Sequence, residues 1–326
     1  MTTTTPPGTV TVLSWNLQKA RRLDAILAAL RRHFVQHGRP DVLMLNEVPP
    51  RLHRRIAREL GMRAYPAPAK WWLTSRDFRR RHRNVILLDP AGALVPERGR
   101  GRWRVQWLGP WLVPAGLKVR LCLPGGHLSR RTLTLLCVHL AYWSAQLRLD
   151  EATWIAAAAV RDGELTLIAG DFNSWTVEGA PLSLAGVRDL QHALGRAVVV
   201  TAPDGTVTFV PDTRPYAVLV RRGLAHLQHQ AARLDLEGAD DGPTTGHDRD
   251  AATQRFPAEH LPPGGPGPID WHLASAELAD PAVLVGSTVL RDAAFAGCSD
   301  HLPLESVLSG AGLAAVMDRK TKVIDR

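Results

Sequence analysis

Leu165-Thr166-Leu167-Ile168-Ala169-Gly170-Asp171-Phe172-Asn173-Ser174-Trp175 decides the fold. Residues 165–169 are an apolar run of strand length, which predicts a buried strand. Gly170 ends it and lets the backbone approach a neighbour closely. Asp171 and Asn173 follow, one residue apart. On an extended chain they project to the same side. A carboxylate and a carboxamide would then leave the C-terminal end of a strand, the usual place for a site in an α/β fold. The first accepts hydrogen bonds or binds a cation, and the second donates to a phosphate oxygen. The same residues also read as an Asx-rich turn after a core strand.

Working outward, other apolar segments end in polar residues in the same way. Residues 9–13 alternate as a strand and run into Ser14-Trp15-Asn16. Residues 21–37 carry Leu23, Ile26, Leu27, Leu30 and Phe34 at helical spacing. A second strand over 41–48 ends in Asn46-Glu47, just before Pro49-Pro50. Buried there, Glu47 is costly unless paired or bound to a cation; alternatively it caps a helix over 51–61 near its positive end. Asn84 leads a strand over 84–88. Residues 117–123 and 132–140 form a hairpin around Pro124-Gly125-Gly126. The second of these ends in His139, a residue type that is more often a satisfied core group than a catalyst. A helix is expected over 146–160.

Downstream, 198–200 and 207–210 read as a hairpin around Asp204-Gly205. Residues 237–268 read as a long loop, in which His247, Asp248 and Asp250 form either a metal cluster or a flexible polar stretch. Strands resume over 269–273 and 283–290. Ser299-Asp300-His301 then precedes an apolar run to 308. Residues 1–8 and 310–326 read as tails, leaving one domain over 9–309.

The 326 residues carry a net charge of +9, and the basic residues are overwhelmingly Arg. Arg suits bidentate phosphate contacts, so the balance favours an anionic partner, with a solvated Arg-biased surface as the alternative. Residues 71–83 interleave Arg76, Arg79, Arg80, Arg81 and Arg83 with Trp71, Trp72 and Phe78. That mixture suits a phosphate backbone and stacked bases, or an exposed charged loop anchored by its aromatics. Three cysteines without paired spacing do not suggest a disulfide framework or a zinc knuckle. The start lacks a secretory pattern and no apolar run reaches membrane-spanning length. A cytoplasmic monomer with reduced thiols and no membrane span is expected.

Six pieces thus stand in order: Trp15-Asn16, Asn46-Glu47, Val138-His139-Leu140, Gly170-Asp171-Phe172-Asn173, Ile269-Asp270-Trp271 and Ser299-Asp300-His301. Together, over residues 10–308, they resemble the endonuclease/exonuclease/phosphatase superfamily, which includes deoxyribonuclease I. The resemblance implies a four-layer α/β/β/α sandwich of two mixed sheets packed face to face. It implies a Mg²⁺-dependent phosphodiester hydrolase, with Mn²⁺ as a substitute, acting on nucleic acid as an endonuclease or exonuclease. Glu47 resembles the principal metal ligand, with Asn16 beside it and Asp300 near the metal. Asp171 resembles the residue that orients or deprotonates water, and Asn173 the amide on the phosphate. His139 resembles the histidine on the leaving-group side. His301 resembles the histidine on the phosphate, held in its tautomer by Asp270. Asn84, Arg76 and Arg79 complete the expected set on the substrate side.

Asn46 stands where Gln is commoner in the family, and Trp271 where Tyr is frequent. Residues 176–268 carry no family landmark. Two alternatives remain: the same machinery acting on a small or lipid phosphoester, such as an inositol phosphate or sphingomyelin-like substrate, and a non-catalytic binding module on the same fold. Asp270 and His301, 31 positions apart, are expected to meet, because an unpaired carboxylate within an apolar strand is expensive.

Overall fold

The computed structural model describes residues 8–67, 82–97, 114–159, 164–176, 197–242, 244 and 268–320. The chain runs through β1 (Thr9–Asn16), α1 (Leu23–His37), β2 (Val42–Val48), α2 (Leu52–Leu60), β3 (Arg63–Pro66), β4 (Arg83–Leu88), β5 (Leu94–Pro96), β6 (Ala115–Leu121), β7 (Leu133–His139), α3 (Ala145–Ala159) and β8 (Leu165–Asp171). It continues through β9 (Ala197–Thr201), β10 (Val207–Pro211), α4 (Arg214–Arg221), β11 (Leu224–His226), α5 (Leu227–Arg233), β12 (Asp270–Ser275), β13 (Leu284–Val289), β14 (Leu304–Ser309) and α6 (Gly310–Met317). Two six-stranded mixed sheets result, ordered β13-β14-β1-β2-β4-β3 and β11-β12-β8-β7-β6-β5, with β9 and β10 as a separate hairpin.

Strand alternation sorts the side chains into layers. Val10, Val12, Val42, Met44 and Ile86 of the first sheet meet Leu117, Val119, Leu135 and Leu167 of the second, between the sheets. The opposite face of the first sheet, with Leu13, Trp15, Leu43 and Leu45, packs on Ile26, Leu27 and Leu30 of α1 and Ile56 of α2. The opposite face of the second, with Leu136, Val138, Ile168 and Leu273, packs on Ala152, Ile155 and Ala156 of α3. Helices outside two facing sheets make the expected four-layer sandwich. Because β7 and β8 are covered on both faces, their sequences are continuous apolar runs.

The polypeptide stays in the core beyond the boundary read at 309. Ser309 caps α6 by accepting the Gly312 amide, and Leu313, Val316 and Met317 are buried between the layers. The expected tail from 310 onward is therefore corrected for 310–317. A single short helix that is apolar on most sides, with glycines at 310 and 312, has no 3.6-residue stripe to announce it. Cys137 is buried, whereas Cys122 is only half-buried. Among the described residues, no helix is long and apolar enough to cross a membrane.

One polar line crosses the apolar layer between the sheets. His272 Nε2 lies 2.7 Å from Ser14 Oγ, its Nδ1 lies 2.7 Å from Ser306 Oγ, and Ser306 Oγ lies 2.7 Å from Ser287 Oγ. Burial pushes the imidazole down to about 3, so the folded protein keeps it neutral. The unfolded chain protonates it near pH 6.5. Above that pH its titration adds no pH dependence to stability; as pH falls from about 6.5 towards 3 the unfolded state binds the extra proton and stability is lost. Between pH 7 and pH 4, urea unfolding of the wild type should lose about 3 kcal/mol more than His272→Gln. Equal losses in the two proteins would mean that His272 is already charged in the fold.

Candidate active site

Polar residues collect where the inner faces of the strands run out. β1 and β2 are parallel, as are β7 and β8, so their C-terminal ends share one edge of the sandwich. The antiparallel strands β4, β12 and β14 begin at that same edge. Along β1 the inward series Val10, Val12, Ser14 ends in Asn16; along β2 Val42 and Met44 lead to Asn46; along β8 Leu165, Leu167 and Ala169 lead to Asp171. Register places Asn16 beside Asn46 in one sheet, and His139, Asp171 and Asp270 side by side in the other.

Asp171 is the hub, 1% exposed. Its Oδ2 accepts from Asn16 Nδ2 across the gap between the sheets, at 3.0 Å, and lies 3.5 Å from His139 Nε2 and 3.8 Å from His301 Nε2. Its Oδ1 accepts the amide of Asn173 at 2.8 Å. That last bond is an Asx turn, so both readings of this stretch are realised by different oxygens of one carboxylate. The strand does not continue to Asn173, which adopts φ +49°. Its side chain is buried and donates to Leu140 O at 3.0 Å. The argument that Asp171 and Asn173 project together from an extended strand is thereby corrected.

Asp270 and His301 meet: Nδ1 of the imidazole lies 2.8 Å from Oδ2 of the carboxylate. Burial disfavours the charged ring, but Asp270, Asp300 and Asp171 outweigh it and hold His301 up to about 10. Asp300 itself is more exposed than its neighbours, with Oδ1 3.9 Å from His301 Nε2.

Glu47 sits at an irregularity in the β2–β4 pairing, between Leu45 and Val48, with φ +55°. A left-handed conformation costs a non-glycine residue roughly 1–2 kcal/mol, and such strain collects at functional sites. It brings Oε1 to 4.0 Å from His139 Nε2. The alternative that Glu47 caps α2 finds no counterpart: the cap position is Arg51, and it makes no side-chain capping bond. Asn16 uses its Oδ1 to accept the Gln18 amide. For a divalent cation, Glu47, Asp300 and Asn16 offer oxygen donors, which suit Mg²⁺. Asp171, Asp270 and His301 place ligand-type atoms within 4.8 Å of one another. In that trio, however, His301 Nδ1 is already committed to Asp270, which makes it an acid–base cluster first.

Several partnerships at this edge went unread in the sequence, although Asn46 was read there as a strand end and Gly170 as a site of close backbone approach. Asn46 is wholly buried and donates to Asn84 Oδ1 and Val138 O, while its own Oδ1 accepts the Asp171 amide. One side chain thus ties both sheets directly behind Asp171, and it is the position where Gln was expected. Gly170 lies against Val138 O at φ +139°, leaving no room for a Cβ. Arg148 and Asp212 form a fully buried ion pair at 2.7 Å, and Arg148 also donates to Ala141 O. The Asp212 carbonyl accepts Ser174 Oγ and the Trp175 amide. This pair belts the loops after β7 and β8 from behind and gives a role to part of 176–268.

His82 faces the same edge. Burial lowers its pKa, Lys19, His139 and Arg21 add to the lowering, and Glu47 opposes it. The only signal for His82 was its place beside Asn84 at the end of an Arg-rich run. Arg76, Arg79, the aromatics at 71, 72 and 78, and the cluster of His247, Asp248 and Asp250 lie outside the described residues.

No curated protein matches this chain in sequence. Among solved structures it is similar to an endonuclease/exonuclease/phosphatase family protein from Bacteroides thetaiotaomicron, with a TM-score of 0.55, 15% identity, and coverage of 92% of this chain and 97% of that one. An AP endonuclease from Archaeoglobus fulgidus gives a TM-score of 0.54 at 14% identity, covering 92% and 99%. A truncated Caenorhabditis elegans TDP2 gives 0.52 at 15%, covering 92% and 98%. At these identities the likeness concerns the fold. The sequence profile that matches, over residues 13–301, is that of the Endonuclease/Exonuclease/phosphatase family, and with most of its length matched the chain belongs to that family.

Proposed function

We propose that this protein hydrolyses phosphodiester bonds of nucleic acid with a divalent cation, Mg²⁺ or in its place Mn²⁺. One observation carries the reading. A single carboxylate, Asp171, is surrounded by Asn16 Nδ2, His139 Nε2 and His301 Nε2 at 3.0, 3.5 and 3.8 Å, and His301 is in turn held by Asp270 at 2.8 Å. The family's own description joins nucleases and phosphatases. The net charge of +9, and Lys19 and Arg21 near His82, favour an extended polyanion.

In this mechanism Asp171 accepts a hydrogen bond from the attacking water and takes its proton. Asn16 fixes the orientation of that carboxylate. His301, protonated at Nδ1 towards Asp270, presents Nε2 to a phosphate oxygen and stabilises the charge that develops on it. His139 serves the leaving-group side. Asn173 braces the turn that carries Asp171 by donating to Leu140 O, and would supply the amide on the phosphate side. Glu47 and Asp300, with Asn16 Oδ1, would hold the cation. When bound, that cation neutralises phosphate charge and stabilises the leaving oxygen.

Incubation of the full chain and Mg²⁺ with plasmid, single-stranded DNA, RNA and a phosphoinositide panel tests the reading. Cleavage of a nucleic acid supports it. Turnover of inositol or lipid phosphoesters alone would overturn the choice of substrate. Activity that survives a chelator would overturn the metal dependence. No turnover of anything would leave a binding module. Glu47→Gln is expected to raise the Mg²⁺ concentration for half-maximal activity by about ten- to a hundredfold, the scale of loss when a metal site is weakened. An unchanged Mg²⁺ titration would remove Glu47 from the ligand set.

A further inference from the structure

We infer that Tyr142 and Trp143 form a stacking platform for an unpaired nucleobase next to the scissile phosphate, which makes single-stranded or frayed nucleic acid the preferred substrate. The inference rests on the nucleic-acid reading above and narrows it.

The two rings are exposed, at 41% and 42%, and contact each other edge to face with centroids 5.1 Å apart. At that exposure ring surface of both residues remains accessible to solvent. Their position follows from the backbone. Leu140, immediately after β7, donates its amide to Asp171 O and accepts from Asn173 Nδ2. Tyr142 is two residues further on, so its Cα lies within roughly 7.6 Å of that of Leu140. The backbone that carries the two rings therefore leaves directly from the Asp171 edge.

The bridge that carries them is anchored on both sides. Before it, the Ala141 amide donates to Glu151 Oε2 at 2.7 Å, and Ala141 O accepts from Arg148; Glu151 and Arg148 are buried. After it, Ser144 caps α3, its hydroxyl accepting the Leu147 amide and its carbonyl the Arg148 amide. Two aromatics on a pinned two-residue bridge lose little further freedom when a base lands on them, which is the economy of a preorganised contact.

A base is the occupant that fits. Stacking on an aromatic needs one ring face and no particular base. A lipid surface needs a broad apolar patch, yet here Ala141 on one side is buried and Ser144 and Gln146 on the other are polar. A base locked in a duplex cannot offer its face to a side chain without leaving the stack, hence the preference for unpaired strands.

The test pairs Trp143→Ala with substrates that lack one base. Single-stranded oligonucleotides of one sequence, with an abasic tetrahydrofuran unit at successive positions around the cut, are compared with the intact strand and its duplex. Trp143→Ala should lower kcat/KM on the intact strand about tenfold, mostly through KM, and Trp143→Phe should restore much of it. One abasic position should cost the wild type a similar factor and cost Trp143→Ala nothing more. Equal effects of the variant on all strands, or no effect, would overturn the platform while cleavage itself upheld the nucleic-acid reading. Failure of the wild type to cut any DNA or RNA would overturn both. Loss of lipid-vesicle turnover alone in Trp143→Ala would make the pair a membrane contact instead.

Discussion

Asp171→Ala is expected to leave a folded protein whose turnover is at least about a hundredfold lower, the scale of a lost general base. The carboxylate meets Asn16, His139 and His301 on one oxygen. Alanine removes both the proton acceptor and the group that these three donors surround. The other oxygen closes the turn onto the Asn173 amide, so some of the loss in alanine could reflect a loosened turn. Asp171→Asn separates the two effects: its amide oxygen can still accept the Asn173 N–H, but it cannot take a proton from water. Single-turnover rates at saturating Mg²⁺, with thermal melts of both variants, check this. Turnover near the wild-type level in either variant would remove Asp171 from the reaction.

The second large effect belongs to Asp270→Asn. Turnover should fall by about 10³- to 10⁴-fold with substrate affinity little changed, as when the carboxylate behind a working imidazole is made neutral without altering its shape. Asp270 is 5% exposed and touches the ring, not the substrate, so it acts through His301. The carboxylate holds the proton on Nδ1, and its charge is a main reason that the buried ring stays protonated. An amide supplies shape without that charge and also permits the wrong tautomer. Steady-state kcat and KM, measured separately, decide the matter: a change confined to KM would place Asp270 in substrate binding, and unchanged kinetics would mean that His301 is positioned by other groups.

The elements that were easy to read share a physical cause. The predicted strands around 41–48, 84–88 and 165–169 are present as largely apolar runs, which burial on both faces selects, while 9–13 alternates and 269–273 carries Asp270 and His272 among its apolar residues. β3, β5 and β11, of three or four residues, lie at or beside sheet edges and are too short for any period to show. α4 and α5 fall in the stretch without landmarks. Within the site, Asn16, Glu47, His139, Asp171, Asp270 and His301 were legible because each is a polar residue closing or opening an apolar strand. Asn173 was misread in direction, because the strand ends at Asp171 and Asn173 adopts φ +49°.

The sequence by itself determined which residues end the strands and in what order, since periodicity reports the face of its own element on which a side chain lies; the two-sheet architecture was implied by the family resemblance those residues carry. Apart from the Asp270–His301 pair, which was expected from the sequence, only the tertiary structure decided what each of them meets. Asn16 and Asp171 are 155 positions apart and share a hydrogen bond because two sheets pack face to face. Asn46, buried between those sheets, holds the Asp171 amide, and Asp212 pairs with Arg148 and Arg214 behind the same loops. No local pattern encodes these partnerships, because a partner across a layer is selected by packing and by the cost of leaving a buried polar group unpaired.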